Sequence, residues 1–172
     1  MIITVGGLVG SGKSTLARML AEKYGLEYVS IGEILRGMAA EKGISLLEMS
    51  KIAESDPNID KELDRRQAEL ASRDAIIDSR LGAFILKPDF KIWLTVGLDT
   101  RAKRVASRDG IDFDEALKRV RAREASERKR YKAVYGYDLD DLSIYDLVLN
   151  TEHFGIQEMF DICEKAVDLL KR

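Results

Sequence analysis

Eight residues near the start of the chain have the types and spacing of a phosphate-binding loop. Residues 7–14 read GLVGSGKS and match the pattern G-x-x-x-x-G-K-[ST] at every fixed position. Glycines let the backbone direct its N–H groups at a phosphate, and the helix that follows adds the positive end of its dipole. The sequence therefore predicts a nucleoside triphosphate site. Its predicted members are Gly7, Leu8, Val9, Gly10, Ser11, Gly12, Lys13, Ser14 and Thr15.

Three side chains could act on the bound triphosphate. The ammonium of Lys13 can reach the β- and γ-phosphate oxygens, and the hydroxyl of Ser14 can ligate Mg²⁺. Asp78 ends the apolar run AIID, where a carboxylate would hold Mg²⁺ directly or through water. The alternative for Asp78 is a polar residue at the end of a strand. We expect a Mg²⁺ site at Ser14 and Asp78.

Residues 29–36, VSIGEILR, could bind a second phosphate. Ser30 and Glu33 form an S-x-x-E capping box at the start of a predicted helix, a structural role that is compatible with ligand contact. Arg36 follows among apolar neighbours about two turns into that helix. A guanidinium at this position could hold a monophosphate through two hydrogen bonds.

A basic segment lies further along, where residues 119–132 contain seven basic and two acidic side chains. Arg123, Glu127 and Arg130 share one face of a helix at spacings of four and three. Phosphoryl transfer spreads negative charge over the phosphate oxygens, and arginines stabilise that charge. The alternative is a solvated charged face.

The composition excludes several classes of protein. The 172 residues suit one domain, and 28 basic against 30 acidic residues give a net charge of -2, which attracts neither nucleic acid nor an acidic membrane. One cysteine and one histidine exclude a disulfide framework and two-histidine zinc motifs. No stretch is long and apolar enough to span a bilayer, and the start lacks the features of a signal peptide. We expect a cytoplasmic protein.

Apolar runs alternate with helical patterns along the whole chain. This order predicts an α/β fold with a central parallel sheet of five strands and helices on both faces. Two long helical insertions, over residues 30–72 and 100–131, are expected to build a ligand site and a lid. The predicted strands cover 2–5, 27–29, 75–77, 90–96 and 147–149, and the helices begin near 13, 30, 45, 57, 100, 112 and 155.

Several longer segments together resemble a known family. They read GSGKST, SIGEILR, DRRQ, IIDSRLG, RAREASERKRY and YGYDLDDLSIYDLVLNT. With these segments, the chain resembles nucleoside monophosphate kinases with a P-loop, in particular cytidylate kinases of the short archaeal type, over nearly its whole length. The absence of an Asn-Lys-x-Asp motif and the small size agree with a small-molecule kinase rather than a GTPase or a motor.

The resemblance implies a single kinase domain over residues 1–172. It implies a CORE, a nucleoside-monophosphate-binding (NMP) insertion at about 31–72 and a helical LID at about 101–130. It further implies transfer of the ATP γ-phosphoryl group to CMP or dCMP with Mg²⁺, and we expect a monomer without nucleic-acid or membrane partners. The alternatives are the same chemistry on AMP, UMP or a shikimate-like acceptor, and a regulatory or RNA-binding ATPase.

The resemblance also assigns acceptor residues one by one. Arg80 matches a phosphate-binding arginine, Arg123 and Glu127 match a pair that contacts the acceptor ribose, and Arg130 matches a LID arginine that faces phosphate. With Lys13, the three arginines are the predicted catalytic residues. The predicted CMP-binding residues are Ser30, Gly32, Arg36, Asp60, Arg80, Arg123 and Glu127.

Two positions depart from the bacterial pattern of this family. Leu81 stands where that pattern has an aspartate that helps read cytosine, and Asp60 stands where it has an arginine. A carboxylate can accept a hydrogen bond from the cytosine 4-amino group, so Asp60 is a candidate base-reading residue. The alternative is a solvated charge near the start of a helix.

Overall fold

A five-stranded parallel sheet forms the centre of the molecule. The computed structural model describes residues 1–70 and 74–170, apart from the side chain of Leu47. The strand order is β2-β3-β1-β4-β5, and every neighbouring pair is parallel. The strands are β1 (Ile2–Gly7), β2 (Glu27–Ser30), β3 (Ala75–Asp78), β4 (Phe90–Thr95) and β5 (Leu147–Asn150). The α/β prediction is confirmed, and each predicted strand is found with its ends shifted by two residues at most.

Helices cover both faces of this sheet. Side chains alternate along β1, so Ile3 and Val5 face one side and Thr4 the other. Ile3 and Val5 pack in one apolar cluster with α1 and α8, whereas Gly82 at the start of α5 lies against Thr4. The helices are α1 (Lys13–Tyr24), α2 (Ile31–Glu41), α3 (Leu46–Ser55), α4 (Pro57–Leu70), α5 (Gly82–Ile85), α6 (Leu98–Asp109), α7 (Phe113–Tyr135) and α8 (Ile156–Leu170).

Two details of the helices differ from the sequence prediction. The short helix α5 was not predicted, because a single turn is too short to show a periodic pattern. Helix α7 continues four residues beyond the predicted end at 131 and stops at Gly136, whose φ of 67° is the left-handed conformation typical of a helix C-cap. The predicted end of the first insertion, at residue 72, lies outside the described residues.

The first insertion has an apolar cluster of its own. Helices α2, α3 and α4 bury their apolar faces against one another around Met38, Met49 and Leu63. Each helix begins at a residue that favours a helix N-terminus. Ser30 caps α2, Ser45 forms a capping box at the start of α3, and Pro57 is the first residue of α4. This packing holds the three helices together beside the carboxyl end of the sheet. Among the described residues, no helix is long and apolar enough to span a membrane.

Gly6 tests how tightly the centre of the sheet is packed. A Cβ atom at Gly6 would lie 2.6 Å from the Trp93 ring and 3.3 Å from the Tyr145 hydroxyl. Both neighbours are buried, so we expect Gly6→Ala to lower the free energy of unfolding by about 1–3 kcal/mol through overpacking. Urea denaturation measures this change.

Gly37 provides the matched control. It lies in α2 with ordinary helical backbone, and a Cβ atom there would meet nothing within 4 Å. Because alanine is the better helix former, Gly37→Ala should raise the free energy of unfolding by about 0.5–1 kcal/mol. Equal effects of the two substitutions would contradict the packing argument.

Candidate active site

The carboxyl ends of three strands meet at one cleft of about 870 Å³. β1 leads into the phosphate-binding loop, β2 leads into α2, and β3 ends beside both. The strand register pairs Asp78 with Val5 on one side and with Ser30 on the other. Ligands of open α/β sheets bind at such an edge. The loop residues that line the cleft are Val9, Gly10, Ser11, Gly12, Lys13, Ser14 and Thr15.

Two arginines of α6 hold the phosphate-binding loop through its backbone carbonyl groups. Arg101 donates to the Val9 carbonyl at 3.3 Å, and Arg104 donates to the Gly10 and Ser11 carbonyls at 3.3 and 3.4 Å. The N–H of a trans peptide points away from its carbonyl group. The N–H groups of Gly10 and Gly12 therefore point away from these arginines, as phosphate binding requires. The side chain of Leu8, by contrast, packs in the apolar cluster that contains Trp93.

Asp78 is the common partner of side chains from β2 and α1. Its carboxylate is 2% exposed. It forms an ion pair with Lys13 at 2.9 Å and accepts hydrogen bonds from Ser14 at 2.5 Å, Tyr28 at 3.0 Å and Ser30 at 3.4 Å. Burial alone would raise the pKa of Asp78, but Lys13 and these donors outweigh burial and hold the pKa below its ordinary value. Asp78 is therefore an anion at the centre of the cleft.

Ser14 and Asp78 fit a Mg²⁺ ion. Both offer oxygen ligands, which Mg²⁺ prefers, and the two side chains are already in contact. The Oδ1 atom of Asp78 is buried, and its partner is the Lys13 ammonium. Across residues 1–70 and 74–170, no group of three or more histidine, cysteine or acidic side chains is arranged to hold a metal. A two-ligand site suits Mg²⁺, which keeps several waters or substrate phosphates as its other ligands.

Ser30 has two partners, as the sequence allows. Its hydroxyl accepts a hydrogen bond from the Glu33 backbone N–H at 3.3 Å and donates to Asp78. The predicted capping box is only half formed, because the Glu33 side chain pairs with Arg18. Gly32 and Arg36 line the same cleft, so this part of α2 borders the phosphate-binding loop.

Arginines and carboxylates from α4, from α7 and from the segment after β3 form a buried cluster beside the cleft. Arg80 contacts Glu127 at 3.0 Å, Arg123 contacts the same Glu127 oxygen at 2.9 Å, and Arg130 lies 3.4 Å from Asp60. Asp60, Arg80, Glu127 and Arg130 are buried, and Arg123 is partly buried. The solvated alternatives for Asp60 and for this face of α7 are therefore wrong.

The charges of this cluster shift the pKa values of its carboxylates in opposite directions. Burial would raise the pKa of Glu127, but Arg80, Arg123 and Arg130 outweigh it and lower the pKa. At Asp60, burial raises the pKa by more than Arg130 lowers it. The negative charge of Glu127 is thus balanced by neighbouring arginines, whereas the negative charge of Asp60 is balanced less completely.

A second, smaller cavity of about 50 Å³ adjoins the cleft. Lys13, Asp78, Arg80 and Arg123 line both spaces. Predicted residues that line the smaller cavity include Gly32, Asp60, Glu127 and Arg130. The structure therefore brings the predicted donor and acceptor residues to one continuous site, with Lys13 and Asp78 at the junction. The exceptions are Gly7 and Leu8, which line neither space.

Sequence reasoning gave no role to Tyr28, Gln67 or Arg101. Tyr28 lies two residues before Ser30, so both lie on one face of β2, and this spacing was the available signal. Gln67 lies in the DRRQ segment and lines the smaller cavity. Arg101 gives no local side-chain signal, because its partners Val9 and Glu124 are far away in the sequence and its nearby partner at Val96 is a backbone carbonyl.

Comparisons with known proteins agree with this arrangement. A sequence model described as "Cytidylate kinase-like family" matches residues 2–153. The chain is 49% identical to the cytidylate kinase of Methanocaldococcus jannaschii over all of both proteins. It is 51% identical to the cytidylate kinase of Methanopyrus kandleri, covering 100% of this chain and 96% of that protein. The chain belongs to the cytidylate kinase-like family.

Solved structures outside this close group share the fold of the cytidylate kinase-like chain. An uncharacterised protein from Eubacterium ventriosum superposes with a TM-score of 0.71 at 22% identity, covering 98% of both chains. Shikimate kinase from Bacteroides thetaiotaomicron superposes with a TM-score of 0.63 at 12% identity, also covering 98% of both. The predicted P-loop kinase fold and the predicted family are confirmed.

Glu127 should be the main charge that stabilises the buried arginines of this family member. Removing it leaves guanidinium groups buried without compensation, so Glu127→Gln should lower the free energy of unfolding by about 3–5 kcal/mol at neutral pH. Glu69→Gln removes an exposed i,i+4 pair with Arg65 and should cost about 0.5 kcal/mol or less. Urea denaturation of both variants measures the difference.

The effect of Glu127→Gln should depend on pH. A carboxylate with a lowered folded-state pKa contributes stability that is present above its unfolded pKa, about 4.3, and lost as the pH falls through the lower folded value. The gap between the original protein and the variant should therefore shrink as the pH is lowered from about 7 to below 4. A gap that stays constant over this range would contradict an ionised Glu127.

Proposed function

We propose that this chain transfers the γ-phosphoryl group of ATP to CMP and dCMP, giving ADP and the corresponding diphosphates. The observation that carries the proposal is the junction of the two cavities, where Lys13 and Asp78 lie between a phosphate-binding loop and a buried arginine cluster. The cytidylate kinases of M. jannaschii and M. kandleri, about half identical over the full chain, support CMP as the acceptor.

In this proposal, the phosphate-binding loop and Lys13 hold the donor. The backbone N–H groups and the dipole of α1 bind the β- and γ-phosphates, and the Lys13 ammonium neutralises charge at the transferred group. Burial lowers the pKa of Lys13 although Asp78 opposes this shift, so the ammonium lies in a site where its field is weakly screened by water. Mg²⁺, held by Ser14 and Asp78, supplies further neutralisation of the triphosphate when it is bound.

The acceptor phosphate binds between Arg36, Arg80 and Arg123. An oxygen of the CMP phosphate attacks the γ-phosphorus in line, the new P–O bond forms as the bond to the ADP oxygen breaks, and ADP leaves with that electron pair. Arg80 and Arg123 share Glu127 as their partner, and this carboxylate already orients both guanidinium groups. The phosphate oxygens of CMP then bind these guanidinium groups beside Glu127 or in its place. Glu127 and Arg123 contact the ribose, and Arg130 contributes positive charge from α7.

Asp60 is our candidate for reading the base. It is buried and lines the smaller cavity, and among the described residues its Oδ2 atom has the Arg130 ion pair but no hydrogen bond. A carboxylate oxygen there can accept from the 4-amino group of cytosine. The partners in this proposal are small nucleotides alone, in keeping with a net charge of -2 that attracts neither nucleic acid nor an acidic membrane. The protein acts in this proposal as a cytoplasmic monomer.

A panel of acceptors tests the proposed function. ADP release is coupled to a spectroscopic readout with ATP and Mg²⁺, and CMP, dCMP, UMP, AMP and shikimate are compared. We expect the highest kcat/KM with CMP and dCMP. Turnover of AMP or shikimate without turnover of CMP would overturn the assignment of the acceptor.

Lys13 should be required for turnover but not for folding. We expect Lys13→Ala to lower kcat by about 10²-fold or more, because an ammonium that neutralises the transferred group is lost. Lys165→Ala removes an exposed lysine of α8 and should leave kcat unchanged. Circular dichroism and urea denaturation confirm that both variants fold, and near-normal turnover of a folded Lys13→Ala would refute the assignment of the loop.

Arg36 should act on the acceptor alone. It is exposed in the cleft, so Arg36→Ala can remove a charged phosphate contact without opening a buried cluster. The expected result is a rise in KM for CMP of about tenfold to a hundredfold. KM for ATP should change by less than about threefold, and Arg119→Ala, which removes an exposed arginine paired with Glu115, should change neither constant. Equal losses for both nucleotides would contradict the division between donor and acceptor residues.

A further inference from the structure

One buried side-chain amide in the smaller cavity has a donor nitrogen that no described residue pairs with. Gln67 is 1% exposed, and its Nε2 atom is buried without a hydrogen bond among the described residues. Its side chain lines the smaller cavity together with Asp60, Leu63 and Leu81. Buried polar groups in native proteins nearly always have partners. An unpaired donor that lines a cavity next to the acceptor phosphate site points to a ligand atom as its partner.

Gln67 and Asp60 form a complementary pair at the two ends of one helix face. Both lie in α4, seven residues apart, which is two helical turns or about 10 Å. Within residues 1–70 and 74–170, the Gln67 Nε2 atom is a donor without an acceptor, and the Asp60 Oδ2 atom has an ion pair with Arg130 but no hydrogen bond. A span of about 10 Å accommodates one six-membered ring with a hydrogen bond at each end.

The side chains between these two polar groups suit a flat apolar ring. Leu63 lies on the same helix face between Asp60 and Gln67, and Leu81 and Tyr131 line the cavity with it. Asp64 also lines the cavity, and its carboxylate accepts a hydrogen bond from the Tyr135 hydroxyl. The cavity of about 50 Å³ has the room of one or two water molecules. A base that enters therefore displaces water and contacts these apolar side chains closely, which favours a single ring over a purine.

Cytosine presents the matching pattern of donors and acceptors. Its 4-amino group donates at one end of the ring edge, and its O2 carbonyl accepts at the other. Uracil has carbonyl oxygens at both ends. Its O2 could accept a hydrogen bond from Gln67, but its O4 would face the Asp60 carboxylate, and two acceptors form no hydrogen bond. Asp60 and Gln67 therefore distinguish cytosine from uracil only when the base binds in one orientation, with O2 at Gln67 and the 4-position at Asp60.

We propose that Gln67 donates a hydrogen bond from its side-chain amide to O2 of the acceptor base and so fixes the register in which the 4-amino group faces Asp60. This inference rests on the proposed function and adds to it a second specificity-determining residue. The proposed phosphate and ribose contacts do not involve the Gln67 amide, and this inference gives it a role.

Two CMP analogues separate the two ends of the base. 2-Thio-CMP replaces O2 by sulfur, a weak acceptor, and the monophosphate of 2-pyrimidinone riboside lacks the 4-amino group. With the unaltered protein, each analogue should lose about tenfold to a hundredfold in kcat/KM relative to CMP. ATP, the phosphoryl donor, is the same in all assays.

The variants Gln67→Met and Asp60→Asn should respond to different analogues. Gln67→Met has a side chain of similar length without the donor, so it should lose about tenfold to a hundredfold on CMP and show no further loss on 2-thio-CMP. It should keep the full loss on the analogue without the amino group. Asp60→Asn should show the reverse pattern and should also relax the preference for CMP over UMP.

A surface glutamine and a second variant control this experiment. Gln157→Met alters an exposed glutamine at the start of α8 and should behave like the unaltered protein with every acceptor. If Gln67→Met fails to fold in urea and circular dichroism experiments, Gln67→Glu replaces the donor by an acceptor at nearly constant volume. Gln67→Glu should lose at least as much activity on CMP and should likewise show no added loss on 2-thio-CMP.

The outcomes distinguish this inference from the proposed function. If a folded Gln67 variant keeps the original sensitivity to 2-thio-CMP, or loses activity equally on CMP and both analogues with both sensitivities intact, then Gln67 has a structural role and the inference is overturned. If the unaltered protein does not turn over CMP, the proposed function fails and the inference fails with it. Loss of the 2-thio-CMP sensitivity alone supports the inference.

Discussion

Burying a carboxylate is costly unless cations and hydrogen-bond donors surround it, and this constraint organises the site around Asp78. Its partners come from the first turn of α1 and from β2, so the phosphate-binding loop and the start of the first insertion are fixed relative to one group. The same partners include Lys13 and Ser14, which the proposed reaction uses. The interactions that stabilise the buried anion therefore also place the side chains that would act on ATP.

On the acceptor side, the buried groups that need compensation are cations, whereas Asp78 is a buried anion. Buried arginines at positions 80 and 130 need anions nearby, and Glu127 and Asp60 supply them in the absence of substrate. Because these arginines are held by carboxylates from other elements, their positions depend on how α4, α7 and the segment after β3 are placed relative to one another. A nucleotide phosphate then meets guanidinium groups that are already oriented, which reduces the ordering cost of binding.

The sequence predicts the fold well, because buried parallel strands leave apolar runs that can be read locally. The phosphate-binding loop and the shared face of Arg123, Glu127 and Arg130 are likewise local patterns, and the structure contains both. Arg101 and Gln67 could not be assigned, since their significance depends on atoms brought together from distant segments. Asp60 shows the same limit: its sequence context suits a solvated helix start, and only tertiary packing buries it.

Helix α7 contacts both halves of the site through one continuous element of 23 residues, about 35 Å long. Near its middle, Glu124 pairs with Arg101, the arginine that holds the phosphate-binding loop. Further along, Arg130 reaches the Ser50 carbonyl in α3, and Tyr135 bonds Asp64 in α4. A change of tilt at either end is therefore transmitted to the other. If both nucleotides bind two tilts of α7 with different affinities, thermodynamic linkage requires each nucleotide to change the affinity for the other by the same factor.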